Sequence, residues 1–111
     1  MTRPVSIGLN LAANTLTTIY TVPKGYWAKW NLMYLFNTSG STKSISAYWD
    51  DASTSANIYV FNGTIANADY VRMDGGAYVV LEEGDKVMMQ SEATSTFSTI
   101  CTFELFKKEG I

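Results

Sequence analysis

Apolar and polar residues alternate with a period of two along most of this chain, the spacing of β-strands that bury one face. Nowhere do apolar residues recur at i, i+3, i+4 and i+7 with a cap and a stop, so no helix is predicted. The pattern predicts strands near 15–22, 26–36, 43–49, 57–61, 69–74, 77–82, 86–92 and 97–107. Between them lie turn clusters: Pro23-Lys24-Gly25, Asn37 to Thr42, Asp50 to Ala56, Asn62 to Asn67, Gly75-Gly76, Glu83-Gly84-Asp85 and Ala93 to Thr96. Pro23 presets φ and donates nothing to a ladder, and Gly25 supplies any left-handed position. Short strands joined by turns at this spacing predict an all-β antiparallel β-sandwich, jelly roll or small barrel; a jelly-roll-like sandwich of about eight strands is the expected fold.

The same period assigns faces. In 26–36 the even positions Tyr26, Ala28, Trp30, Leu32, Tyr34 and Phe36 are all apolar or aromatic and are expected to share the core face. The odd positions mix polar Lys29 and Asn31 with Trp27, Met33 and Leu35, so the second face is expected to be partly covered. Ile45, Ala47 and Trp49 oppose Ser44, Ser46 and Tyr48. In the last strand Phe97, Thr99, Cys101, Phe103 and Leu105 alternate with Ser98, Ile100, Thr102, Glu104 and Phe106. Burying a dozen such side chains at roughly 1.5–3 kcal/mol each offsets the ordering entropy without staples.

Residues 1–14 differ from the sandwich domain expected over 15–111. The stretch Ser6 to Asn14 is weakly patterned and rich in Gly, Asn and Ala. It reads either as a frayed terminus or edge strand, or as an arm that buries Ile7, Leu9 and Leu11 on a neighbouring subunit.

Composition narrows the function classes. The 111 residues suit one domain, and with 47% hydrophobic and 16% charged residues the chain is too apolar to be disordered. Three Trp, seven Tyr and five Phe favour strands. Net charge is −2 and the eight basic residues are scattered, so no stripe is available to track phosphates and nucleic acid is not an expected partner. The longest apolar stretch, Leu32 to Phe36, is far short of a membrane span. The N-terminus lacks a secretory apolar segment and Cys101 is the only cysteine, so neither classical secretion nor an intramolecular disulfide is expected. The sequons Asn37-Thr38-Ser39 and Asn62-Gly63-Thr64 are then read as turn chemistry, with Asn62-Gly63 suited to a tight turn.

Candidate chemistry is sparse. The chain has no His, which removes Ser-His and Cys-His pairs and the commonest general base and zinc ligand. Cys101 sits mid-strand among Ile100, Thr102 and Phe103, the setting of a buried, inert thiol. Asp50-Asp51 and Glu82-Glu83-Gly84-Asp85 could suggest glycoside hydrolysis or calcium, yet sequence neighbours on a strand point apart and no calcium-loop spacing is present. Solvated turn acids are the plainer reading, and no enzyme, cofactor or metal is expected. Trp27, Trp49, Tyr20, Tyr48, Tyr59 and Tyr70 could form a sugar-stacking platform, but surplus apolar positions on the second face of 26–36 favour a subunit interface.

Three segments, Ile19-Tyr20-Thr21-Val22-Pro23-Lys24-Gly25, Asn37-Thr38-Ser39-Gly40 and Val80-Leu81-Glu82-Glu83-Gly84-Asp85-Lys86-Val87, together resemble small virion proteins of tailed bacteriophages. The likeness covers roughly residues 15–107. It implies a single β-sandwich or jelly-roll domain that decorates a capsid or sits in the neck, tail or fibres. It also implies a homotrimer as the assembly and the major capsid protein as partner, in a virion assembled in the host cytoplasm. Trp27, Trp30 and Trp49 fall where smaller aliphatic residues are common in such proteins. Candidate contacts are therefore the N-terminal segment (Ile7, Leu9, Leu11) and the aromatic surplus (Trp27, Trp49).

Overall fold

A computed structural model describes residues 2–74 and 78–109. Nine strands are present: β1 (Thr2–Leu11), β2 (Thr17–Thr21), β3 (Tyr26–Asn37), β4 (Lys43–Asp51), β5 (Ala56–Ile65), β6 (Tyr70–Met73), β7 (Val79–Leu81), β8 (Lys86–Ser91) and β9 (Phe97–Lys107). Among the described residues there is no helix. The expected Gly75-Gly76 turn lies outside the described residues.

The strands form two antiparallel sheets. One runs β1-β9-β3-β6, with β7 also pairing β3; the other runs β2-β8-β4-β5. β3 is long enough to pair β7 along Ala28–Trp30 and β6 along Met33–Phe36. The chain crosses from sheet to sheet at nearly every connection, with only β4-β5 and β6-β7 staying in place. This winding is that of a jelly roll. The ninth strand is β1: residues 2–11 pair with β9 along their whole length, from Thr2 opposite Phe106 to Leu11 opposite Phe97.

The core lies between the sheets. Trp30, Met33 and Leu35 of β3 meet Phe97, Cys101, Phe103 and Leu105 of β9, and across from them stand Ile45, Ala47, Val87 and Met89. Tyr20 of β2 stacks on Phe103 with ring centroids 4.6 Å apart and so ties one sheet to the other. Burial of Tyr20 pushes its phenol above the ordinary range, only partly countered by Arg3.

Two sequence expectations are corrected. First, the even positions of 26–36 do not share one face. The pairing with β9 slips between Trp30 and Leu32, where Asn31 is an extra residue. Such a bulge reverses the alternation beyond it. Ala28 and Trp30 point inward before the bulge, Met33, Leu35 and Asn37 after it, and Leu32, Tyr34 and Phe36 are turned outward. The Trp30 indole Nε1 donates to the Leu32 carbonyl at 3.0 Å and spans the irregularity. Second, Asn62-Gly63 is not a turn but lies inside β5, opposite Ser46 and Ile45. Ser46 Oγ hydrogen-bonds Asn62 Oδ1 at 2.8 Å, and carrying the strand on to Ile65 buries that side chain. The reversal falls at 66–69, with Ala68 at φ 61° and its amide donating to the Asn37 carbonyl.

Asn37 closes β3 with its side chain fully buried. Its Nδ2 donates to the Ser41 carbonyl at 2.8 Å and the Ile65 carbonyl at 2.7 Å, while Oδ1 accepts from the Ser39 amide. Asp85, also buried, sits where four segments meet. Its carboxylate accepts from the Trp49 indole (3.0 Å), the Ala52 amide (3.0 Å) and the Glu82 amide (2.8 Å), so β4, the β4-β5 turn and the turn before β8 converge on it. Its carbonyl takes the Val22 amide at 2.9 Å.

Asp85→Ala would strand three donors at a buried position. At about 1–3 kcal/mol for an unsatisfied buried group, partly relieved by water entry, a loss of roughly 2–4 kcal/mol is expected. Urea denaturation reads it as a lowered midpoint with unchanged slope; a loss under about 0.5 kcal/mol, the range of ordinary surface changes, is incompatible with this role. Burial pushes the Cys101 thiol from 9.0 to about 12. The unfolded thiol ionises first, so its contribution is complete below pH 9.0 and is lost as pH rises toward about 12. Native protein at pH 8 is therefore expected to resist thiol reagents and to label once unfolded. Between pH 9.0 and about 12 the wild-type stability should fall more steeply than that of Cys101→Ala.

Candidate functional site

Two of the sequence motifs, 58 residues apart, meet in space. The Val22 carbonyl accepts from the Gly84 amide at 3.1 Å, and the Gly25 amide donates to Glu83 Oε1 at 2.8 Å. Lys108 Nζ reaches the same carboxylate oxygen at 3.4 Å. The Gly25 amide, and then Lys108, hold the Glu83 carboxyl below its usual range. Gly25 and Gly84 have φ of 87° and 86°, which is why both turns need glycine. These motifs are joints between β2, β3 and β8.

Of the other acidic pair, Asp51 is engaged locally. Asp51 closes the β4 end, its carboxylate accepting from the Ser53 amide (3.1 Å), Ser53 Oγ (2.8 Å) and Thr54 Oγ1 (3.1 Å). The Ser53 hydroxyl is the main cause of its lowered pKa. Among the described residues no group of three or more His, Cys, Asp or Glu side chains is placed to hold a metal ion. A shallow groove of about 670 Å³ beside these turns is lined by Trp27, Val80, Glu82, Lys107, Lys108 and Glu109, with charges of both signs at its rim.

The larger feature is the outer face of the β1-β9-β3-β6 sheet. After the bulge β3 turns Leu32, Tyr34 and Phe36 to this side, alongside Ile100 and Phe106 of β9 and Tyr70 of β6. Aromatic rings pair along it: Trp27 stacks on Phe106 at 4.2 Å, and Tyr34 meets Tyr70 at 5.3 Å and Phe36 at 6.4 Å. Lys29 Nζ lies over Tyr78 at 4.9 Å and Phe106 at 5.4 Å, a cation–π arrangement that keeps its stem flat on the sheet. Tyr70, Tyr78, Val80 and Ile100 remain 40–49% exposed. These apolar side chains fall in two groups, Trp27, Val80 and Phe106 towards one end and Leu32, Tyr34, Phe36, Tyr70 and Ile100 towards the other, with Lys29, Asn31, Thr102 and Glu104 between them.

The five expected contact residues fall in three different places. Ile7, Leu9 and Leu11 lie on the inward row of β1, opposite Cys101, Thr99 and Phe97. Leu11 is buried, Ile7 packs against the core, and Leu9 at the edge is 37% exposed. Trp49 packs against the core with its indole bonded to Asp85, while Trp27 stands on the outer face beside Phe106. The six aromatics considered as a sugar platform are likewise separated. Tyr20 is packed between the sheets, Tyr48 and Tyr59 pair on β4 and β5, and Trp27 and Tyr70 flank opposite halves of β3. The Tyr59 phenol is raised by its bond to Tyr48, a local pairing of two surface rings.

Tyr34, Phe36, Ile100 and Phe106 carry most of the outer face and were not singled out by the sequence reading. Ile100 and Phe106 were visible as apolar residues in the outward row of the last strand. Tyr34 and Phe36 were hidden by the bulge, which the period of two cannot show.

No protein-family model matches this chain, and no curated protein matches it. Solved structures do. A chain from Bacillus endospore appendages, described as a novel family of disulfide-linked pili, is 17% identical with a TM-score of 0.56, covering 96% of this chain and 87% of its own. A chain of the acidic stable capsid structure of Helicobacter pylori bacteriophage KHP30 is 13% identical with a TM-score of 0.60, covering 99% of this chain and 100% of its own. At these identities the likeness is one of fold: an all-β jelly roll shared with phage capsid and spore appendage proteins.

Proposed function

We propose that this chain is a non-enzymatic structural protein of a bacteriophage particle, a capsid decoration (cement) protein that oligomerises and binds the major capsid protein. The observation that carries the reading is the end-to-end match of its jelly roll to a chain of a phage capsid, with a TM-score of 0.60 over 99% of one and 100% of the other. Three further features support it. The carboxylate of Asp51 is engaged within its own turn, and those of Glu83 and Asp85 tie their turn to neighbouring segments. Exposed apolar side chains, Tyr70, Tyr78, Val80 and Ile100 among them, stand on the outer face of one sheet, where they suit contact with another protein. The motifs that resemble virion proteins are joints between turns and strand ends.

The pilus likeness supports a different assembly less well. Those pili are described as disulfide-linked, whereas the one cysteine of this sequence, Cys101, is fully buried and opposite Met33 and Ile7. It offers no thiol to a neighbour.

In the cement reading the mechanism is mass action. A protein that binds only the assembled shell stabilises that state in proportion to its occupancy, by about 2.7 kcal/mol per site at a hundredfold excess over Kd. The test is to add purified protein to expanded capsids of the phage that encodes it. Saturable binding and a raised capsid melting temperature are expected; capsids whose melting is unchanged at saturating protein would sink the reading.

A further inference from the structure

Trp27 is the tryptophan whose indole the fold leaves unused. Trp30 Nε1 donates to the Leu32 carbonyl and Trp49 Nε1 to Asp85, whereas the Trp27 N–H has no hydrogen-bond partner among the described residues. Phe106 covers one side of the Trp27 ring at 4.2 Å, with the planes 12° apart. Phe106 on β9 and Val80 on β7 flank β3 from opposite sides. The other side of the indole therefore looks over Val80 and Glu82, into the shallow groove of about 670 Å³. We propose that this groove binds a neutral saccharide, with one sugar ring stacked on the open side of Trp27 and its hydroxyls held by the charged side chains around it. The inference goes beyond the proposed function and does not rest on it.

The chemistry of the groove matches that ligand. Contact with Phe106 fixes the indole, so little freedom is left to lose on binding. The C–H bonds on one side of a pyranose ring suit the negative face of an aromatic ring. Around it stand two carboxylates, Glu82 and Glu109, and two ammonium groups, Lys107 and Lys108. A carboxylate only accepts and an ammonium only donates, whereas a hydroxyl does both, so a sugar answers both kinds of group at once. Lys108 is held in place, its Nζ 3.4 Å from Glu83 and its amide donating to the Gly25 carbonyl at 2.8 Å. Among the described residues the side chains of Glu82, Glu109 and Lys107 make no hydrogen bond that a sugar would have to displace.

Charge and shape select the class. Two acids and two bases cancel, so the groove offers no net field to draw in a phosphate or another ionised group. Lys and Glu are depleted at the cores of protein contacts, yet here they surround the ring. A protein contact is better served by the group around Tyr34 at the other end of the face. The volume falls within the range of about 300–1,000 Å³ for small-molecule sites, and the shallow, open form suits sugars laid along a surface.

The test is to titrate isotope-labelled protein with cellotriose, maltotriose, lactose and the trimer of N-acetylglucosamine, following the amide and indole N–H resonances. At least one sugar is expected to give saturable shifts with a roughly millimolar Kd, moving the Trp27 indole signal and leaving those of Trp30 and Trp49 in place. Trp27→Ala should lose the shifts at Val80 and Lys108 with unchanged far-UV circular dichroism. Glu82→Ala should weaken binding about fivefold, the effect of one lost hydrogen bond. Tyr59→Ser, on the other sheet, should bind as the wild type does. No saturable shift with any of these sugars, shifts confined to residues outside the groove, or binding that Trp27→Ala leaves unchanged overturns the proposal. Tighter binding of sialyllactose than of lactose overturns the neutral class. Loss of capsid binding in Trp27→Ala without any response to sugars gives the groove to a protein and overturns it too. Because the titration contains no capsid, its failure leaves the cement reading standing.

Discussion

Asp85 is a carboxylate taken out of water, and it is tolerable there because three donors from three separate segments are aimed at it. Each donor is itself a group that could not be buried unpaired. The Trp49 indole brings in β4, the Ala52 amide brings in the β4-β5 turn, and the Glu82 amide closes the turn before β8. The Asp85 carbonyl then receives the amide of Val22 at the end of β2. The end of the sandwich is thus assembled around one side chain, and the neighbouring Glu83 fixes the entry to β3 through Gly25. The geometry resembles an acidic site in the sequence and is a structural joint in the fold.

The bulge at Asn31 has the second largest consequence. Before it, β3 presents Ala28 and Trp30 to the core; after it, Met33 and Leu35. A regular strand with the same residues would have put Leu32, Tyr34 and Phe36 inside and Met33 and Leu35 outside. The slip therefore exchanges one apolar set for another at little cost to the core. What it decides is the surface: the rings of Tyr34 and Phe36 join Ile100 and Phe106 on one side of the sheet. The strand whose two faces were both too apolar for a solvent-exposed sheet is explained by this exchange.

A jelly roll by itself prescribes no activity, since the same winding serves capsids, appendages and many soluble domains. The carboxylates of Asp51, Glu83 and Asp85 are used by the fold itself. Asp51, Glu83 and Asp85 each accept bonds that hold a turn.

Strand positions were legible because a strand buried on one face must alternate, and the turns must carry residues such as Pro23, Gly25 and Gly84 that permit their backbone. The inward row of β9, from Phe97 to Leu105, could be read directly for this reason. Asn62-Gly63 misled, because a dipeptide favoured in turns was held in β5 by its ladder with β4 and by the burial of Ile65. Residues 2–11 were faint, because as an edge strand β1 is paired along only one side and three of its positions, Ser6, Gly8 and Asn10, face out of the sheet. Local period and turn chemistry thus determined that the chain is a jelly-roll-like antiparallel sandwich with an inert cysteine. Only the tertiary structure decided that residues far apart at Val22, Trp49 and Asp85 form one joint, and that Tyr34 and Phe36 face outward. Pairing register and long-range hydrogen bonds depend on which strands become neighbours, and no local period encodes that.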